Sequence, residues 1–196
     1  AWLEARQRQF AGIRHPFVLL PGDNEWSDCA HPPERLAAWR RLFCAEVARL
    51  ALERQPGYCE NLRWESHGFM FIGLNVPGGG KPHLADARMA ATLEWLDESL
   101  SIAESRRAKR ILVLMHADPR FERVGTRDAY AKLRAVFATH AAWFRDRLIL
   151  VHGDTHVYRD DAPLPGLRRI EPWGSPFVSW LRVTLDASAL RVAAGR

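Results

Sequence analysis

Residues 148–156 read Leu148-Ile149-Leu150-Val151-His152-Gly153-Asp154-Thr155-His156. Four apolar residues stopped by a glycine predict a short buried strand. Two histidines and an aspartate follow at once, and imidazole nitrogen and carboxylate oxygen are ligands for Zn²⁺, Mn²⁺ or Fe. Gly153 is expected to let the backbone turn sharply, so that side chains two apart converge. A polar loop capping a strand has the same composition. The reading as a site rests on recurrence, because a strand emptying into ligand-type residues occurs twice more.

The first recurrence is 17–20, Phe17-Val18-Leu19-Leu20, expected as a buried strand that runs into Pro21-Gly22-Asp23-Asn24-Glu25-Trp26. The second is 111–115, a buried strand that runs into His116-Ala117-Asp118-Pro119. The strand expected over 69–76 carries Asn75 near its end and meets the run Gly78-Gly79-Gly80-Lys81. That run lacks the GxxxxGK[ST] spacing of a phosphate loop, and no helix starts immediately after it. It reads as a loop beside a site.

Between these strands lie helical patterns. Residues 2–10 read as the end of a helix, broken by Gly12 and Pro16. Pro33 suits the first turn of a helix running to about Arg54, with Leu36, Trp39, Phe43, Val47 and Leu50 as its core stripe. A helix over 86–108 buries Met89, Leu93, Leu96, Leu100 and Ala103. Thr126 caps a helix reaching about His140, with Tyr130, Leu133 and Phe137 inward and His140 a structural residue on the same face. Residues 60–64 form a short strand, 157–170 are loop-rich, and strands at 177–185 and 190–193 make a hairpin. Strands alternating with helices indicate one α/β domain spanning 1–196, entered midway.

The 196-residue length suffices for a full core, and a hydrophobic content of 47% excludes a disordered chain. No apolar run approaches membrane-spanning length, so a soluble protein is expected, cytoplasmic or exported. The net charge of +5 and pI near 9.6 come from scattered arginines, so nucleic acid enters only as a substrate. Cys29, Cys44 and Cys59 are odd in number and lack CxxC spacing. One pair can bridge under oxidising conditions, and the sequence leaves open which.

In an open α/β sheet, ligands gather beyond the carboxyl ends of the strands, which puts the clusters in one crevice. Their order resembles the calcineurin-like metallophosphoesterases, whose blocks are D-x-H, G-D-x-x-D, G-N-H-[D/E], a lone histidine after a strand, and G-H-x-H. Gly22-Asp23-Asn24-Glu25 resembles the third block, His116 the lone histidine, and Gly153-Asp154-Thr155-His156 the last. The resemblance covers roughly 17–185. It implies a layered sandwich of mixed β-sheets flanked by helices, a phosphate-ester substrate, and two divalent ions (Mn, Fe, Zn or Mg) that activate water against phosphorus. It makes Asp23, His116, Asp154 and His156 metal ligands and puts Asn24 where the family has the histidine that assists the leaving group. His152 and Asn75 become candidates to support the ligands or touch substrate.

Three departures stand out. D-x-H and G-D-x-x-D are absent, which implies that the first strands of the family fold are missing. Asn24 replaces a histidine and cannot act as a general acid. Asp154 replaces another and favours harder metals. The resemblance therefore implies either a metal-dependent phosphoesterase, as a fragment or degenerate member, or a non-catalytic domain that keeps the fold and binds a partner.

Overall fold

The computed structural model describes residues 2–44, 50–78, 86–123, 128–177, 179–186 and 189–195. Among these, four helices and nine strands form a mixed α/β structure built on one seven-stranded sheet. The chain enters through helix α1 (Trp2–Phe10), a 3-10 turn at Asp23–Glu25 and helix α2 (Pro32–Phe43). Strands β1 (Glu53–Gln55), β2 (Tyr58–Ser66) and β3 (Phe69–Leu74) follow, then helix α3 (Asp86–Ser105) and β4 (Arg110–Met115). Helix α4 (Ala131–Phe144) leads to β5 (Leu148–Val151), β6 (Arg159–Leu164) and β7 (Leu167–Glu171), and β8 (Trp180–Leu185) and β9 (Leu190–Gly195) close the chain.

The sheet order is β1-β2-β3-β4-β5-β7-β6. Its middle, β3-β4-β5-β7, is parallel, and the strands outside it pair antiparallel. Helices α3 and α4 are the crossovers that parallel neighbours require. Alternation along each strand divides the apolar side chains between two faces. Ile72, Leu74, Val113 and Leu150 join Leu96 and Leu100 of α3 and Leu133 and Phe137 of α4 in the larger core. On the other face Leu112, Ile149 and Ile170 meet Leu181, Val183 and Val192 of the separate β8–β9 hairpin. The residues expected inward on α3 and α4 are buried, with Leu93 only partly so. His140 has the structural role expected of it, with Nε2 2.8 Å from Asp97 Oδ1 on α3.

Several expectations need correction. Residues 17–20 are extended and half-buried but have no strand partner among the described residues. Both edges of β3 are occupied by β2 and β4, so this segment lies over the sheet rather than in it, with Leu20 against Gly73. The Phe17 ring meets Phe10 at a tilt of 42° with centroids 4.9 Å apart, and Leu19 joins Leu3, Trp39 and Phe43 in a satellite cluster between α1 and α2. The α2 helix ends at Phe43, and Arg54 belongs to strand β1. Val47, Thr126, the run Gly79 to Lys81 and the turn residues Ala187 and Ser188 lie outside the described residues. The short strand at 60–64 is the centre of a nine-residue strand.

The largest difference is 157–170, which contains most of β6 and β7 rather than loop. Leu167-Arg168-Arg169-Ile170-Glu171 alternates too many charges to read as an interior strand. It is interior because the charges are paired. Arg169 is 2% exposed, and its guanidinium donates to both carboxylate oxygens of Asp161 at 2.8 and 2.6 Å and reaches Glu122 at 2.6 Å. Gly166, at φ +83°, makes the tight turn between these strands, and a Cβ there would lie 2.3 Å from the Ala141 carbonyl oxygen. The open cysteine pairing resolves as Cys44–Cys59, with Cα atoms 5.8 Å apart, which ties the end of α2 to β2. Cys29 is free.

Phe137 is fully buried where α4 meets the sheet. Phe137→Ala is expected to destabilise the fold by about 3–5 kcal/mol through lost burial and a residual cavity. Urea unfolding followed by tryptophan fluorescence measures this, and a loss below about 1 kcal/mol would show that α4 is not held by this core.

Candidate metal centre

The four parallel strands end at one edge of the sheet. Leu74 is level with Met115, Leu114 with Val151, and Val151 with Ile170. Asn75 is therefore level with His116, and His152 and Glu171 are level with one another one residue earlier, beside Met115. Across from them, the 3-10 turn carries Asp23 down to the same edge.

Three of the expected ligands converge there. Asp23 Oδ1 is 3.0 Å from His116 Nε2, and Asp154 Oδ1 is 3.9 Å from the same nitrogen. One donor atom from each of Asp23, His116 and Asp154 lies within 4.8 Å of the others. Two carboxylates and an imidazole make a donor set suited to borderline or hard divalent ions. Asp23 Oδ1 and His116 Nε2 are within hydrogen-bonding distance of each other, so a cation bound here would replace that contact. This set fits one ion. The other cluster of ligand-type groups among the described residues is Cys44, Cys59 and Glu60, whose sulfurs are consumed in the disulfide.

Each member is held by its surroundings. The Asp23 carbonyl accepts from the backbone N–H of Trp26 at 3.0 Å and of Asp28 at 3.1 Å. Trp26, 3% exposed, lies under the Arg88 guanidinium at 5.0 Å. Gly78 passes so close that a Cβ would sit 2.7 Å from Asp23 Oδ2. The His116 carbonyl accepts from the Gly153 N–H at 3.0 Å, which locks the ends of β4 and β5 together. Asp154 Oδ2 accepts weakly from the Asp118 N–H at 3.4 Å. The sharp turn expected at Gly153 falls instead on Asp154 at φ +82° and His156 at φ +65°. Backbone strain of this kind concentrates at functional sites.

The remaining expected residues go elsewhere. His156 turns away from the trio, with Nδ1 3.0 Å from the Ser175 carbonyl and its ring flush on Gly174. Asn24 is exposed beside Asp23, and its backbone N–H donates to Asp23 Oδ1 at 2.8 Å. His152 is 2% exposed, and its Nδ1–H donates to the Gly153 carbonyl at 2.8 Å. Its Nε2 faces Glu171 Oε2 at 4.0 Å, and neither atom has a hydrogen-bond partner. Asn75 is fully buried, taking Asn61 Oδ1 on its N–H at 2.7 Å and donating from Nδ2 to Glu60 Oε1 at 3.3 Å.

Two acidic residues that sequence reasoning missed hold this edge together. Glu171 Oε1 accepts from the Thr155 N–H at 2.9 Å and hydroxyl at 2.7 Å, pinning the loop that carries Asp154. Glu60 is fully buried and receives Arg40 at 2.8 and 2.9 Å and also Arg88. Burial alone would push the Glu60 carboxyl up, but the Arg40 hydrogen bonds and the Arg88 charge hold it below the usual carboxylate range. Glu171 was hidden inside the apparent loop. Glu60 stands in a weakly patterned strand, followed at once by Asn61, and nothing in the sequence marks it as buried.

No protein-family model matches the chain, and no curated protein matches it.

Because folding lowers the Glu60 value, its stabilisation is complete above the unfolded-state value of about 4.3 and is lost as pH falls through the folded one. Glu60→Gln is therefore expected to cost about 3 kcal/mol near neutral pH, where it leaves two arginines without their carboxylate. The difference from wild type should shrink below about pH 4. Urea midpoints of both proteins across this range provide the check, and a pH-independent difference would contradict it.

Proposed function

We propose that this chain carries the metal-binding half-site of a metal-dependent phosphoesterase of the calcineurin-like kind. The observation that carries the proposal is the convergence of Asp23, His116 and Asp154 at the carboxyl edge of a parallel sheet, from three separate parts of the chain. The β8–β9 hairpin packed on the second sheet face agrees with the layered sandwich that this reading expects.

Asp23, His116 and Asp154 would hold a divalent ion, Mn²⁺ being the best match to their donors. Such an ion supplies Lewis-acid polarisation of a phosphoryl oxygen and acidifies water. In the hydrolysis a water oxygen bonds to phosphorus, the ester P–O bond breaks, and the departing oxygen takes up a proton. Asn24 sits exposed beside Asp23, where its amide can donate a hydrogen bond to a phosphoryl oxygen but cannot deliver that proton. Esters with good leaving groups are therefore the favoured substrates. A second ion finds no comparable set of donors among the described residues, with His156 committed to the Ser175 carbonyl.

That last observation favours a second reading, a domain of the same fold that binds its ion and a partner without turnover. The readings separate in one assay, the hydrolysis of 4-nitrophenyl phosphate and bis(4-nitrophenyl) phosphate with Mn²⁺ or after chelation. The phosphoesterase reading expects Mn²⁺-dependent release of nitrophenol that falls at least about 100-fold in His116→Ala and Asp154→Ala. His156→Ala is expected to keep its Mn²⁺ affinity within about three-fold, because its ring lies outside the trio. Mn²⁺ binding by calorimetry without turnover of either ester would replace the first reading by the second. Undiminished binding in His116→Ala would remove both.

A further inference from the structure

A cavity of about 550 Å³ opens on the same sheet face as the β8–β9 hairpin, between the sheet and the α1–α2 pair. Its walls are apolar, with Phe10, Leu19, Trp39, Leu114 and Val151 among them. One of its lining residues, His116, belongs to the trio, and Gly22, Asn24 and Gly153 of the lining are chain neighbours of Asp23 and Asp154. The cavity therefore meets the trio at His116, with its polar lining at the strand ends and its apolar lining along the sheet face. Ligand sites have this composition: mostly apolar lining with a few convergent polar groups that fix orientation.

The cavity has a structural cause. Residues 17–20 lie over the sheet without joining it, so Leu19 and Leu20 form a wall at a distance from Leu114 and Val151 instead of packing into a ladder. The Glu25 carboxylate at the lining accepts from the Gly22 N–H through Oε2 at 2.8 Å. Arg6, exposed on α1, is the one cationic side chain of the lining besides the histidines. The space prefers a hydrocarbon chain to a sugar or a nucleobase, whose polar edges would find few partners along these walls.

We propose that the substrates of this site are phosphate esters of long-chain apolar alcohols, with the phosphate at Asp23, His116 and Asp154 and the alkyl chain in the cavity. This assignment rests on the phosphoesterase reading for its polar half. The alkyl half stands on the cavity alone and can be tested separately.

The experiment is a calorimetric titration of the whole chain with ethyl phosphate and octyl phosphate in the presence of Mn²⁺, and with octanol in its absence. Octyl phosphate is expected to bind at least about ten-fold tighter than ethyl phosphate, since apolar burial scales with chain length. Val151→Trp fills the cavity and Leu19→Glu charges its wall from a segment outside the sheet. Each should bring the two esters within about two-fold of one another while leaving Mn²⁺ affinity unchanged. Equal affinity for both esters in the wild type, with Mn²⁺ bound, overturns the cavity assignment and leaves the metal reading standing. A preference for octyl phosphate that survives in both variants overturns it as well. Octanol binding with no uptake of Mn²⁺ retires the phosphate-ester assignment together with the metal reading.

Discussion

Four parallel strands stop at one edge because their ladders hold them in register: Phe69 to Leu74 beside Arg110 to Met115, Ile111 to Leu114 beside Leu148 to Val151, and Leu148 to Val151 beside Leu167 to Ile170. Every feature of the candidate site follows from that alignment. His116 lies level with Gly153, next to Asp154, and His152 lies level with Glu171, so backbone hydrogen bonds rather than mutual attraction set these side chains at the edge. A slip of one residue in any of these ladders would send the apolar set to the wrong face. The two-sided core, helices on one face and the β8–β9 hairpin on the other, is what forbids the slip.

Polar groups buried at this edge then fix what the strands alone leave loose. Glu60 gathers Arg40 from α2 and Arg88 from α3, and Arg88 lies over Trp26, which in turn closes the turn bearing Asp23. Glu171 pins Thr155 and with it the loop bearing Asp154. Each carboxylate of the trio is thus positioned by a second, buried carboxylate that does not itself reach the trio. Burying charge is costly unless it is paired, and Glu60 is paired with two arginines while Glu171 accepts from Thr155 and faces Arg159 at 3.3 Å.

The parts of this design that rest on apolar pattern were legible in the chain. The strands at 69–74, 111–115 and 148–151, the α3 and α4 stripes and the terminal hairpin all carry periodicity that burial demands. What depended on pairing between distant residues was not. Strand β7 is interior with its Arg169 paired to Asp161 and Glu122, and 17–20 has the composition of a strand but lies over β3, whose two edges are taken by β2 and β4. The bridge from Cys44 to Cys59 is equally a matter of tertiary contact. At the site, Asp23, His116 and Asp154 meet, although Asp23 arrives on a 3-10 turn and not at a strand end, whereas His156, two residues after Asp154, is carried off by the Ser175 carbonyl and a left-handed backbone.

The central claim is that one cation site exists and that these three side chains make it. Crystals grown or soaked with Mn²⁺ and measured at the manganese absorption edge test it most directly. The account predicts a single anomalous peak within ligand distance of Asp23, His116 and Asp154. A featureless map there at saturating Mn²⁺, or a peak held by His152 and Glu171 instead, would contradict it.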